Sequence, residues 1–247
     1  MRLTTIIARK GINDDNKGKK HALHKLISAT DADYVWLQDD DIVPPAQQPP
    51  LEGDLIILPL KMEGGSSLVE QLQVTEYAAI QELTMRTAKR GKPILCSGAN
   101  MIVRRDQWLR SWEAMHPELP SGDDIFLLED FKRRGLTIRV ADEEQYTATV
   151  YAQPTWKAFM LQRMRWAGKA PSFTDHDIRT IGALVVAANI IQILCPAIIL
   201  IKFPIEYSLI KKRDPKASFW MSLVLELIYP WYILLSLLGG ILRSGLW

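Results

Sequence analysis

Residues 181–201 contain no charged side chain, and residues 218–242 contain one, Glu226. A helix of about 20 apolar residues spans the roughly 30 Å hydrocarbon layer of a bilayer. Any fold of this chain must therefore give its last part an apolar surrounding. We read residues 178–247 as a membrane region with spans near 181–201 and 218–242. Phe219, Trp220, Tyr229, Trp231, Tyr232 and Trp247 suit the interface belts of such helices. Glu226, in the second span, is a functional candidate or an acid paired with a neighbouring helix.

The residues before about 175 mix charged and apolar positions and read as a water-facing body. Residues 1–8 are too short for the apolar core of a signal peptide, and Arg9 and Lys10 follow at once. They read as a strand, followed by a polar loop at 11–18 and a helix over 19–29 with Leu23, Leu26 and Ile27 on one face. Strands are expected at 34–37, 54–61 and 94–96, and helices at 67–90, 104–115 and from Asp123 to near Gly135. This alternation implies an α/β layer domain with a largely parallel sheet over residues 1–153. The formal net charge is +2 and no dense basic stripe alternates with aromatics, so nothing points to nucleic acid. The two cysteines, Cys96 and Cys195, lie outside any metal-ligand spacing and fit a reducing compartment.

Within that body, Tyr34-Val35-Trp36-Leu37 ends in Asp39, Asp40 and Asp41, and Pro44 and Pro45 follow. A buried strand that delivers carboxylates at its C-terminal end places them where open α/β sheets bind ligands. Adjacent carboxylates repel unless a cation lies between them, and hard oxygen ligands suit Mg²⁺ or Mn²⁺ shared with substrate phosphates. A solvated acidic turn is the plainer alternative. Lys17, Lys19 and Lys20 stand at the start of the helix over 19–29, where cations oppose the helix dipole; either an anion docks there or the end is frayed and solvated. Asp123 and Asp124 start another helix, as dipole-stabilised caps or as a general base.

Residues 154–169 form an amphipathic helix in which Trp156, Phe159, Met160, Met164 and Trp166 interleave with Lys157, Arg163, Arg165 and Lys169. An interfacial helix on anionic lipid would look like this. So would a helix that offers a guanidinium to a diphosphate and an indole to a sugar ring. We place the interfacial segment at 154–172.

Several islands together carry a family resemblance. Gly18-Lys19-Lys20-His21-Ala22-Leu23, the aspartates 39–41, Gly98 with Arg104-Arg105, Gly122-Asp123-Asp124 and Gln162-Arg163-Met164-Arg165-Trp166 occur in order. In this arrangement the chain resembles the processive-type family 2 glycosyltransferases, relatives of cellulose, chitin and hyaluronan synthases. Their GKxxAL, D-x-D, Thr-Glu-Asp and Q-R-x-R-W elements correspond to these islands, although His24 stands where many relatives carry Asn and Gly122-Asp123 replaces Thr-Glu. The family's opening strand and its first Asp-Asp element have no counterpart here, so an N-terminal portion with the nucleobase pocket is expected to be missing.

The resemblance implies a GT-A-like, Rossmann-like mixed sheet with helices, then the amphipathic helix and transmembrane helices. It implies inverting transfer from a nucleotide-sugar, most often a UDP-sugar, to a saccharide or lipid acceptor, for envelope polysaccharide or glycolipid synthesis. By matching positions, Asp124 would be the base. Lys19, Asp39, Arg163 and Arg165 would bind the donor, Gln162 and Trp166 the acceptor, and Asp39 and Asp41 a Mg²⁺ or Mn²⁺ ion. The expected setting is the inner (plasma) membrane, multi-pass, with the catalytic part cytoplasmic. One crossing at 181–201 would then put the basic loop of Lys202, Lys211, Lys212, Arg213 and Lys216 outside, against the positive-inside tendency. Alternatively, residues 181–210, broken by Pro196 and Pro204, dip in and return. An inactive fragment kept as a membrane-associated or interaction protein is the competing reading. A phosphotransfer site at 39–41 is a weaker one, since it leaves the Q-R-x-R-W helix unexplained.

Overall fold

The apolar run before the aspartates is a strand whose residues are buried from Tyr34 through Gln38, in a computed structural model that describes residues 1–8, 18–119 and 121–242. The elements follow as β1 (Leu3–Ala8), α1 (Lys19–Ala29), β2 (Tyr34–Asp39), β3 (Leu55–Ile57), β4 (Leu60–Glu63), α2 (Leu68–Lys89), β5 (Asn100–Arg104), α3 (Arg105–Arg110), α4 (Asp123–Arg133), β6 (Ile138–Val140), β7 (Ala148–Tyr151), α5 (Trp156–Ala167), α6 (His176–Leu194), α7 (Ile199–Arg213) and α8 (Phe219–Leu242). They divide into two bodies, residues 1–60 with 84–150, and residues 61–83 with those from 151 onward. The polar loop expected at 11–18 falls, apart from Gly18, outside the described residues.

In the first body a five-stranded sheet has the order β1-β2-β5-β3-β6. β1 pairs parallel with β2, and β3 with β6, but β5 runs antiparallel to both β2 and β3. The sheet is therefore mixed, not largely parallel. The reason lies at Met101-Ile102-Val103, each 0% exposed. So short an apolar run has no periodicity of its own, and Ser97-Gly98-Ala99-Asn100 before it reads as loop. The strand expected at 94–96 is irregular chain, and the expected helix 104–115 is α3 followed by a separate 3₁₀ turn, Glu113–Met115.

Residues 54–61 do not make one strand either. Pro59 has no N–H to give a ladder, so β3 ends before it and β4 pairs with β7 instead. Behind the sheet Tyr34, Trp36, Ile56, Leu58 and Ile102 form a core. The buried Asn100 ties its strands together. Its amide donates to the carbonyls of Pro59 at 2.9 Å and Tyr146 at 3.0 Å, and its oxygen accepts from the Trp36 indole at 3.0 Å. A buried amide satisfied in this way specifies register as well as stability.

In the second body Thr155 caps α5 by accepting from the Ala158 amide at 3.2 Å. Phe159 of α5 packs with Val69, Leu72 and Ala78 of α2, Ile210 of α7, and Leu225 and Tyr232 of α8. The expected span 181–201 is shifted and shortened: α6 runs His176–Leu194. Pro196 cannot continue its hydrogen-bond ladder, and a 3₁₀ turn at Pro196–Ile198 leads into α7. α8 occupies the second expected span, with Pro230 inside it. Among the described residues, α6 and α8 are long and apolar enough to cross a membrane.

Candidate active site

Strand β2 delivers Asp39 at its C-terminal end, level with Ala8 of β1. The chain then turns through Asp40 and Asp41, both exposed. Helix α1 faces this end with its first residue, Lys19, whose ammonium lies 2.5 Å from Asp39 Oδ1. Burial opposes a charge on Lys19, yet Asp123, Asp39 and Asp124 outweigh it and hold the amine above its ordinary range. Burial pushes the Asp39 carboxyl up; Lys19 pulls it back, and Asp123 and Asp41 add to the rise. At the start of α1, then, Lys19 is ion-paired while remaining partly exposed. Lys20 is 0% exposed and donates to the carbonyls of Met115 at 2.6 Å and His116 at 2.8 Å, a structural use of a lysine. Lys17 lies outside the described residues.

Helix α4 brings the second pair of acids. Gly122, at φ 93°, turns the chain into it, and Asp123 and Asp124 occupy its first turn. Asp124 is held by backbone: Oδ1 accepts from the Ile125 amide at 2.8 Å and Oδ2 from the Gly98 amide at 3.3 Å. Asp123 is 5% exposed, and its Oδ2 has no hydrogen-bond partner among the described residues. A β-carbon at Gly98 would lie 3.0 Å from that oxygen and 3.8 Å from Lys19 Nζ. The fold therefore gathers Lys19, Asp123 and Asp124 around Gly98, with Asp39 bound to Lys19. Cys96 lies beneath them, where burial and both aspartates push its thiol well up, and it donates to the Asp124 carbonyl at 3.3 Å.

His24 stacks on Trp112 at 3.9 Å between ring centroids, with His21 edge-on to the same indole at 5.0 Å. Burial and the neighbouring His21 depress the His24 pKa. An imidazole here fills an aromatic contact that an Asn would not make.

The Gln162 to Trp166 motif lies on α5 in the second body. Its two arginines differ sharply. Arg163 is 4% exposed, and its guanidinium is bound to Glu76 of α2 at 2.5 Å. Burial opposes its charge and Glu76 restores it, with a net rise in pKa. The guanidinium also lies over the rings of Phe159 at 4.8 Å and Trp166 at 4.4 Å, and donates to Gln162 Oε1 at 2.9 Å. The expected diphosphate ligand Arg163 is thus engaged inside the fold, whereas Arg165 and Trp166 are exposed. Glu76 went unread in the sequence, although Val69, Leu72, Gln73 and Glu76 follow the i, i+3, i+4, i+7 spacing of one helix face. An acid on that apolar face is the signal for a buried cation.

Among the described residues no three His, Cys, Asp or Glu side chains are gathered as a metal site. Of the two carboxylates expected to hold a cation, Asp39 is bound to Lys19 at 2.5 Å and Asp41 is exposed; two such oxygens leave the rest of a Mg²⁺ shell to waters and substrate phosphates. Compared with known proteins, the chain matches a family model, Glycosyl transferase family group 2, over residues 41–246. No curated protein matches it.

Proposed function

Since this chain belongs to the glycosyl transferase family group 2, we propose that it is a membrane-bound inverting enzyme that moves a sugar from a UDP-sugar to a saccharide or lipid acceptor. The observation that carries this reading is the grouping of Lys19, Asp39, Asp123 and Asp124 at the C-terminal end of β2. It supplies a cation for phosphate beside a carboxylate for a proton. Asp39 and Asp41 would hold Mg²⁺ or Mn²⁺, which supplies positive charge against the leaving diphosphate when bound. Lys19 adds to that charge from the start of α1. Within the second body, Arg165 is an exposed guanidinium of the kind that suits a phosphate, Trp166 an exposed indole that suits a sugar ring, and Gln162 a polar group that suits an acceptor. Arg163 serves by holding α5 in place.

Asp124 is the proposed base. The acceptor hydroxyl gives it a proton as its oxygen forms a bond to the anomeric carbon. The bond from that carbon to the diphosphate breaks on the opposite face, so configuration inverts. The two backbone amides on Asp124 fix its carboxylate before substrate arrives, and a positioned base contributes about 10²–10⁴-fold in rate. Asp124→Asn in membranes carrying the whole chain is expected to lose transfer by about that factor and to keep its affinity for UDP. Wild-type turnover in this variant would remove Asp124 from the mechanism.

A further inference from the structure

Asp39 is asked to serve two cations. Its Oδ1 lies 2.5 Å from the Lys19 ammonium, and the same carboxylate is one of the two assigned to Mg²⁺ or Mn²⁺. Mg²⁺ sits about 2.0–2.1 Å from its oxygens, so an ion on that oxygen would be in near contact with the ammonium, and like charges repel. One of the two must leave. Both side chains are reached from solvent, with 37% of Lys19 and 31% of Asp39 exposed, so neither an ion nor a phosphate has to break the core to meet them. The ammonium also lies beside the acids of α4: a β-carbon at Gly98 would be 3.8 Å from Lys19 Nζ and 3.0 Å from Asp123 Oδ2. At the first residue of α1 an ammonium opposes the positive end of the helix dipole, so these acids, and not the helix, keep it there.

We propose that Lys19 orders the binding of the donor: its ammonium occupies Asp39 until a nucleoside diphosphate draws it off, so that the divalent ion and the nucleotide enter as a pair and the ion alone binds weakly. The proposal rests on the glycosyl-transfer reading and adds an order of events to it. A diphosphate gives the ammonium a new anion at the start of α1, where the dipole favours negative charge. Lys19 then releases Asp39, and the phosphate oxygens complete the shell of the ion that takes its place. Ion and nucleotide are linked in this way, and each raises the affinity of the other by the same factor.

The test uses the whole chain purified in detergent, with Mn²⁺ as the probe and its binding read by electron paramagnetic resonance with and without UDP. In the wild type, saturating UDP is expected to tighten Mn²⁺ binding by at least about fivefold, the lower end of couplings between linked sites. Lys19→Gln, which removes the charge and keeps an N–H donor, should bind Mn²⁺ alone at least about fivefold tighter than the wild type does. Its affinity for UDP at saturating Mn²⁺ should fall. These opposite signs separate an ordering role from a structural one, which would weaken both. Lys19→Met decides the matter if Lys19→Gln fails to accumulate. Asp39→Asn added to Lys19→Gln should remove the gained affinity, since the gain arises at that carboxylate. Unchanged Mn²⁺ affinity in the Lys19 variants overturns the proposal, as does a gain that survives Asp39→Asn. A wild-type chain that binds no UDP, with or without Mn²⁺, overturns the glycosyl-transfer reading itself, and this inference with it.

Discussion

A guanidinium taken out of water needs an anion and further hydrogen bonds to offset its lost hydration. Arg163 has both, in Glu76 and Gln162. Removing one partner of such a pair leaves the other charge buried and costs about 3–5 kcal/mol. Arg163→Ala should therefore lower the stability of the chain by about that much, read as lost accumulation in membranes or a lower melting temperature, and Glu76→Ala should do the same. Arg165→Ala, at an exposed position two residues on, should leave stability within about 0.5 kcal/mol and weaken UDP binding. Equal loss of stability in both arginine variants would contradict this division. The motif made both arginines legible as a pair, and nothing in it distinguishes them. Only the acid on the apolar face of α2 does, and its partner cannot be named until the helices are packed. Asp123 shows the same limit. Its residue type was visible, but its missing hydrogen bond depends on how Gly98 and Lys19 approach it.

At the scale of elements, α5 is held along α8, with Phe159 edge-on to Tyr232 at 5.2 Å between ring centroids. The C-terminal ends meet most closely through two glycines. A β-carbon at Gly240 would lie 2.5 Å from the Met164 carbonyl oxygen and 2.7 Å from the Gly168 nitrogen, both backbone atoms. One at Gly239 would meet first the flexible Met164 side chain, at 2.7 Å from Cε. Gly240→Ala must therefore push α5 off α8, displacing the turn that carries Arg165 and Trp166, whereas Gly239→Ala needs only a new Met164 rotamer. We expect Gly240→Ala to cost about 1–3 kcal/mol, as overpacking does, and to lower turnover. Gly239→Ala should stay within about 1 kcal/mol of wild type by thermal denaturation, in line with adaptable methionine packing. Helices with long apolar periods, α1, α2, α4 and α8, were legible to within a residue or two of their ends. β5 and the break at Pro59 were not. A strand of five residues reads from its neighbours as much as from itself, and the choice of partner for β3 and β4 is made across the sheet.

For the whole molecule, the apolar tail announces itself by composition, but composition does not say which way the chain runs through it. Packing within the second body adds what the sequence lacks. Ile210 shares a core with Val69 and Leu72 of α2, and Lys212 lies 3.0 Å from Glu82 of the same helix. The C-terminal end of α7 is thus docked on α2, which also places Lys211, Lys212 and Arg213 on the side of α2. With α6 ended at Leu194 by the break at Pro196, α6 and α7 should enter an apolar layer and return. That would put the basic loop on the same side as α2. In right-side-out and inverted vesicles, with Cys195→Ser removing the exposed native thiol, a membrane-impermeant thiol reagent should label Asp214→Cys and Glu63→Cys from the same face. Both positions belong to the second body. Labelling from opposite faces would mean that α6 and α7 cross once, and that the contact between Lys212 and Glu82 does not form in the membrane.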